Sequence, residues 1–81
     1  MIALNRAVAV AEVQGPHAAL TLVDTLDLGQ YYLFHAVRAD FLRRLGHHHE
    51  AAAAYGAAIA RSGNAAERTF LERQLDAVTR A

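Results

Sequence analysis

Residues 38–58 read RADFLRRLGHHHEAAAAYGAA, and this stretch decides the fold class. Its first part continues an apolar stripe of Phe34, Val37, Phe41 and Leu45, spaced by three and four residues as one face of an α-helix requires. Gly46 then stops the helix, because glycine enters the left-handed region at a C-cap without a Cβ clash. Helical spacing resumes at once through Ala51, Ala54, Tyr55 and Ala58. Alanine is short, so the surface facing this second helix has to come close. A helix, a tight break and a second helix with a small-residue face together predict an antiparallel helical hairpin.

Working outward, the remaining punctuation is sparse: Gly15-Pro16, Asp27 to Gln30 around Gly29, and Ser62-Gly63-Asn64. With Gly46-His47 these breaks leave five helical segments, at about residues 2–13, 16–26, 31–45, 48–61 and 64–79. Pro16 opens the second at a first-turn position, where its missing N–H has no intrahelical partner to lose. Ala19, Leu22, Val23 and Leu26 mark one face of that segment. Asn64 followed three residues later by Glu67 is a capping-box-like start for the fifth, which continues through Phe70, Leu71, Leu75 and Val78. Arg73 and Arg80 lie toward its C-terminal end, where cations complement the helix dipole. Period-two alternation of β-branched residues is missing throughout, so the expected class is all-α, about five helices in antiparallel hairpins.

Composition narrows the functional classes. At 81 residues the chain is one domain at most, and a single core of this size rarely supplies more than about 3 to 5 kcal/mol of net stability. Formal net charge is zero with histidines neutral, and all eight basic residues are Arg, so the positive excess of a phosphate-binding surface is lacking. We therefore expect no direct contact with nucleic acid. The chain has no Cys, which excludes disulfides, thiolate zinc sites and Cys nucleophiles and fits a reducing compartment. Arg6 and Glu12 interrupt the apolar start, and no window reaches the roughly 18 uncharged apolar residues of a membrane span. The expectation is a soluble, cytoplasmic domain with no membrane partner.

An internal repeat sharpens the fold. The strings around Gly46-His47 and Gly15-Pro16 each place a break before a small-residue helix start, about 33 residues apart, a period of helical-hairpin solenoids. In the second unit Ala39, Ala51, Tyr55 and Ala58 fall where a tetratricopeptide repeat places small, small, aromatic and small residues. The first unit fits loosely, with Ala18 and Leu22 at the equivalent places but Arg6 where a small residue is expected. The fifth segment then covers the open end as a solenoid cap does. The hairpins are expected to be right-handed and tetratricopeptide-like.

The ordered strings carry a further resemblance. Leu4-Asn5-Arg6-Ala7-Val8-Ala9-Val10-Ala11-Glu12-Val13, Gly15-Pro16, Arg38-Ala39-Asp40-Phe41-Leu42-Arg43-Arg44-Leu45-Gly46, Glu50-Ala51-Ala52-Ala53-Ala54-Tyr55 and Gly63-Asn64 through Glu67-Arg68 to Phe70-Leu71 follow one another. In that order they resemble the C-terminal extension of a group of extracytoplasmic-function RNA polymerase sigma factors that carry a tetratricopeptide-like domain. The resemblance spans nearly the whole chain and implies a regulatory domain, not an enzyme. Its partners would be the upstream sigma-factor domains and RNA polymerase. It carries over no catalytic residues and no cofactor. Helical periodicity also begins directly after Met1 with no capping residue before it, which predicts further domains upstream.

Candidate contact residues follow from patterning. Asp40, Arg43 and Arg44 lie three and four residues apart, on one helix face that in such a repeat lines the concave groove. Asn5 and Arg6 interrupt an apolar helix and are expected to dock against the upstream domain. His47, His48, His49 and Glu50 are adjacent at a helix start and point different ways, so they read as an exposed turn, not a metal site. Tyr31 and Tyr32 read as core packing, and His35, Asp40 and Ser62 lack the context of a hydrolytic triad. Ile2, Leu4, Val8, Val10 and Val13 are spread around more than one face of the first helix, which predicts weak self-association of the isolated chain.

Overall fold

The computed structural model describes residues 2–80, with the side chain of Ile2 outside the described set. Five helices, and no strand among these residues, make up the chain: α1 (Ile2–Gln14), α2 (Pro16–Val23), α3 (Tyr32–Arg44), α4 (His48–Arg61) and α5 (Ala65–Arg80). Each break has an identifiable cause. Gly15, at a φ of 92°, donates its N–H to Ala11 O at 3.1 Å, and Pro16 begins α2. Gly46 has a φ of 78°. Its N–H bonds Arg43 O at 3.0 Å while that of His47 bonds Leu42 O at 2.9 Å, the paired pattern of a Schellman motif. Asn64 caps α5, its Oδ1 accepting the Glu67 N–H at 2.8 Å. Glu67 reaches back to the Gly63 N–H at 3.3 Å, one residue earlier than in a standard capping box.

The second helix ends three residues sooner than the spacing of Leu26 predicts, at Val23 instead of residue 26. Thr25 N–H bonds Leu22 O and Leu26 N–H bonds Val23 O, tightening the chain into short turns, and the Thr25 hydroxyl donates to Leu22 O at 2.7 Å. Arg38 holds the resulting loop through Asp24 at 2.8 Å. Leu26 and Leu28 still pack against the core, from a loop and not from a helix. The third helix is one residue shorter at each end than residues 31–45, since Tyr31 is extended and Leu45 is the C-cap. At the other limits, α1 runs one residue beyond 2–13 and α5 sits one residue later than 64–79.

Packing follows chain order, α1 on α2, α2 on α3, α3 on α4 and α4 on α5, so successive helices form hairpins. Two hydrophobic clusters result. One joins Leu4, Ala7 and Ala11 of α1 to Ala19, Val23 and Phe41; the other joins Ala39 and Leu42 to Ala51, Ala54, Tyr55, Ala58, Leu71 and Val78. The third helix belongs to both, because consecutive residues point about 100° apart and Phe41 and Leu42 therefore enter different cores. Ala7, Ala19, Ala39, Ala51 and Ala58 are each 0% exposed, so backbones meet closely where no larger side chain fits.

The buried positions also correct the repeat register. Ala7 and Ala39, Ala19 and Ala51, and Val23 and Tyr55 are all buried at a constant separation of 32 positions (7 to 39, 19 to 51, 23 to 55). Leu71 continues the series (39 to 71). Arg6, placed at a small-residue position by the longer period, is exposed, and Ala18 and Leu22 are only partly buried. The two units share these buried positions, whereas Val10, Leu22 and Leu26, 32 positions before the buried Leu42, Ala54 and Ala58, are only partly buried.

Candidate functional site, a groove between the third and fifth helices

Helices α3 and α5 both lie on α4, and their backbones stay well apart although Leu71 shares the core with Ala39 and Leu42 and the Tyr32 hydroxyl meets Glu67. The space between them forms two cavities of about 200 and about 390 Å³ that share Ala36, Phe70 and Leu71 as lining. Side by side, they run along α3 from Tyr32 and Leu33 at one end to Asp40 and Arg44 at the other, where Val8 of α1 approaches. The lining is mostly apolar, and it exposes large side chains to water: Phe70 is 59% accessible, Val8 43% and Leu33 37%. Phe70 belongs to the apolar run that the sequence assigns to α5, yet only Leu71 and Val78 of that run are buried, with Leu75 partly so.

Charged groups mark the two ends. At the Arg44 end, Asp40 accepts from Arg43 at 2.6 Å and from Arg44 at 2.9 Å. One carboxylate shared by two guanidinium groups leaves a net positive charge there. The Arg44 guanidinium also lies 5.9 Å from the centre of the Phe41 ring, a cation–π distance that restrains it. Arg43 is half-buried beside Tyr55, whose phenol burial pushes above its ordinary value against the opposing influence of Arg43. At the opposite end, Glu67 is held below the ordinary glutamate range, first by the Tyr32 hydroxyl and then by the Gly63 N–H and the Ser62 and Asn64 side chains. That end of the groove holds one carboxylate beside the positive N-termini of α3 and α5.

Of the five contact candidates, Asp40 and Arg44 line the groove directly, while Arg43 is tied to them through Asp40. Asn5 and Arg6 are exposed and do not line it. Asn5, one turn before Val8, shares its side of α1; Arg6, two residues from Val8, lies on nearly the opposite side. Val13, 83% exposed, stands with Arg6, so the accessible apolar surface of α1 is divided between two sides. Leu4 is buried and Val10 partly so, and Ile2 lies outside the described side chains.

Other candidate groups have separate partners. His35 Nε2 meets Gly29 O at 2.7 Å, and Ser62 Oγ donates to Asn64 O at 3.1 Å, so His35, Asp40 and Ser62 are each engaged elsewhere. The histidines at 47–49 are exposed, with His47 Nδ1 3.8 Å from Glu50, and no three metal-binding side chains converge among the described residues. Tyr32 packs partly against the α3–α4 core, whereas Tyr31 is 43% exposed, contrary to its expected core placement. Among the described residues, no helix is long and apolar enough to cross a membrane.

No family model matches the chain, and no solved structure matches it. It is similar to a protein of Rhizobium meliloti (strain 1021) described only as uncharacterized, with 42% identity over 78 residues. That alignment covers 94% of this chain but spans only 18% of the relative's length.

Proposed function

We propose that this chain is a regulatory, protein-contacting domain of an extracytoplasmic-function RNA polymerase sigma factor. It would tune transcription initiation through contacts with the sigma-factor domains and with RNA polymerase. The observation that carries this reading is the open α3–α5 groove, where Phe70, Leu33 and Val8 remain accessible although a domain this small has every reason to bury them. The ordered strings that resemble the sigma-factor extension supply the partner. The 32-position register of buried residues supports the tetratricopeptide-like hairpins that the resemblance implies. Alignment with a short part of a much longer relative is what a module within a larger protein would give.

The alternative is a free-standing tetratricopeptide-like adaptor that takes a partner peptide in the same groove. The two readings separate in a run-off transcription assay with core RNA polymerase. The natural reading frame that contains this chain is expressed whole and with the 81-residue segment deleted. The sigma-factor reading predicts initiation by the whole protein and a loss of about tenfold or more on deletion. A frame without a sigma-type helix-turn-helix, or initiation unaffected by the deletion, contradicts it.

A further inference from the structure

The groove has a direction, and direction constrains what can lie in it. From Leu33 to Arg44 it follows eleven residues of α3, about 16 Å, the length of roughly three helical turns. Along that length the floor is apolar, with Phe70 standing near the middle. At one end Arg43 and Arg44 share a single carboxylate, and Arg44 keeps further N–H donors for another acceptor. At the other stands the Glu67 carboxylate, close to the N-termini of α3 and α5. Those N-termini carry partial positive charge, and the C-terminus of α3 at Arg44 carries partial negative charge.

We infer that the groove takes one amphipathic helix of about three turns, antiparallel to α3 and α5, with acidic residues in its first turn beside Arg44 and basic residues in its last turn beside Glu67. The apolar stripe of such a helix covers Phe70 and Leu33. Its acidic first turn supplies the carboxylate that the Arg43–Asp40–Arg44 cluster lacks, and its C-terminal dipole meets the positive N-termini of α3 and α5. A parallel helix with the same charges would set like charges together at both ends and align the dipoles unfavourably. Association through an apolar centre with charged ends separates affinity, supplied by Phe70, from orientation, supplied by Arg44 and Glu67.

This inference rests on the groove being a protein-contact surface, and its test is independent of transcription. Two short helical peptides of equal composition share one leucine stripe. One carries Glu in its first turn and Lys in its last, and the other has these ends exchanged. Both are stapled across one turn so that their helicities match. Titrated against the chain by fluorescence anisotropy, the Glu-first peptide is expected to bind about tenfold tighter than the exchanged one, which can pair its charged ends only by lying parallel to α3, against the helix dipoles. Arg44→Glu should abolish that preference, and Phe70→Ser should weaken both peptides by about tenfold or more. If Phe70→Ser perturbs the helical signal, Val8→Ser serves in its place. Equal affinities, a preference insensitive to Arg44→Glu, binding of neither peptide, or a groove filled by a second copy of the chain would each overturn the inference. Correct peptide polarity with transcription indifferent to the segment would leave this inference standing and remove the sigma-factor reading.

Discussion

Replacing Ala58 by Leu tests the close approach of helices on which the α3–α4–α5 core depends. Ala58 is 0% exposed and belongs to the cluster that joins α3, α4 and α5, so a longer side chain there points into the core and not into water. A leucine there adds three carbons that only a shift of neighbouring helices can admit, at a cost of about 1 to 3 kcal/mol. A domain of this size loses about 4 to 8 °C of melting temperature per kcal/mol, so the expected drop is about 4 to 24 °C. Ala53 lies on the exposed side of the same helix, and Ala53→Leu should stay within about 0.5 kcal/mol of the parent. The repeat register adds a second pair, with Ala19→Leu costing more than Ala18→Leu because only Ala19 is fully buried. Thermal unfolding followed by far-ultraviolet circular dichroism measures all four. Equal melting temperatures for Ala58→Leu and Ala53→Leu would refute the close packing, and a larger loss at Ala18 than at Ala19 would refute the register.

Asn64→Ala removes the side chain that accepts the Glu67 N–H and should destabilise the fold by about 1 kcal/mol in urea titration. The Tyr55 phenol titrates higher folded than unfolded, so its contribution is present below about pH 10.0 and lost as pH rises beyond it; Tyr55→Phe should flatten the alkaline arm of the stability profile. Glu67 titrates lower folded than unfolded, so its contribution is present above about pH 4.5 and lost on acidification, and Glu67→Gln should reduce that acid sensitivity. Duplex DNA should bind only weakly and without sequence preference in a gel-shift assay at physiological salt, given a net charge of zero. Sub-micromolar, selective binding would overturn the assignment of protein partners.

Much of the fold is legible in the residues, for local reasons. The fourth helix runs from His48 to Arg61 as its composition predicts, because a Schellman glycine opens the turn before it and Ser62-Gly63-Asn64 closes it. The end of α2 is not legible, since Leu26 continues the helical spacing while the Thr25 hydroxyl has already taken the Leu22 carbonyl. Turn strings place the repeat at about 33 positions, whereas the buried alanines, Ala7 with Ala39 and Ala19 with Ala51, are spaced by 32. Asp40 and Arg44 are readable as groove residues from their shared face. Phe70 is not, because an aromatic residue in an amphipathic helix reads as core unless the gap between α3 and α5 is known. The turn-by-turn placement of Asn5 beside Val8, and of Arg6 opposite, depends on which stripe of α1 meets α2, and Leu4, Ala7 and Ala11 decide that only in the folded chain.

In the proposed function, the α3–α5 groove is where this domain acts on transcription. Run-off transcription by the natural protein carrying Phe70→Glu measures it most directly, with Arg6→Glu on the far side of α1 as the comparison. The expected result is a loss of about tenfold or more for Phe70→Glu, with the helical signal retained, and activity within about twofold of the parent for Arg6→Glu. Full activity of a folded Phe70→Glu protein, or equal losses from both substitutions, would contradict it.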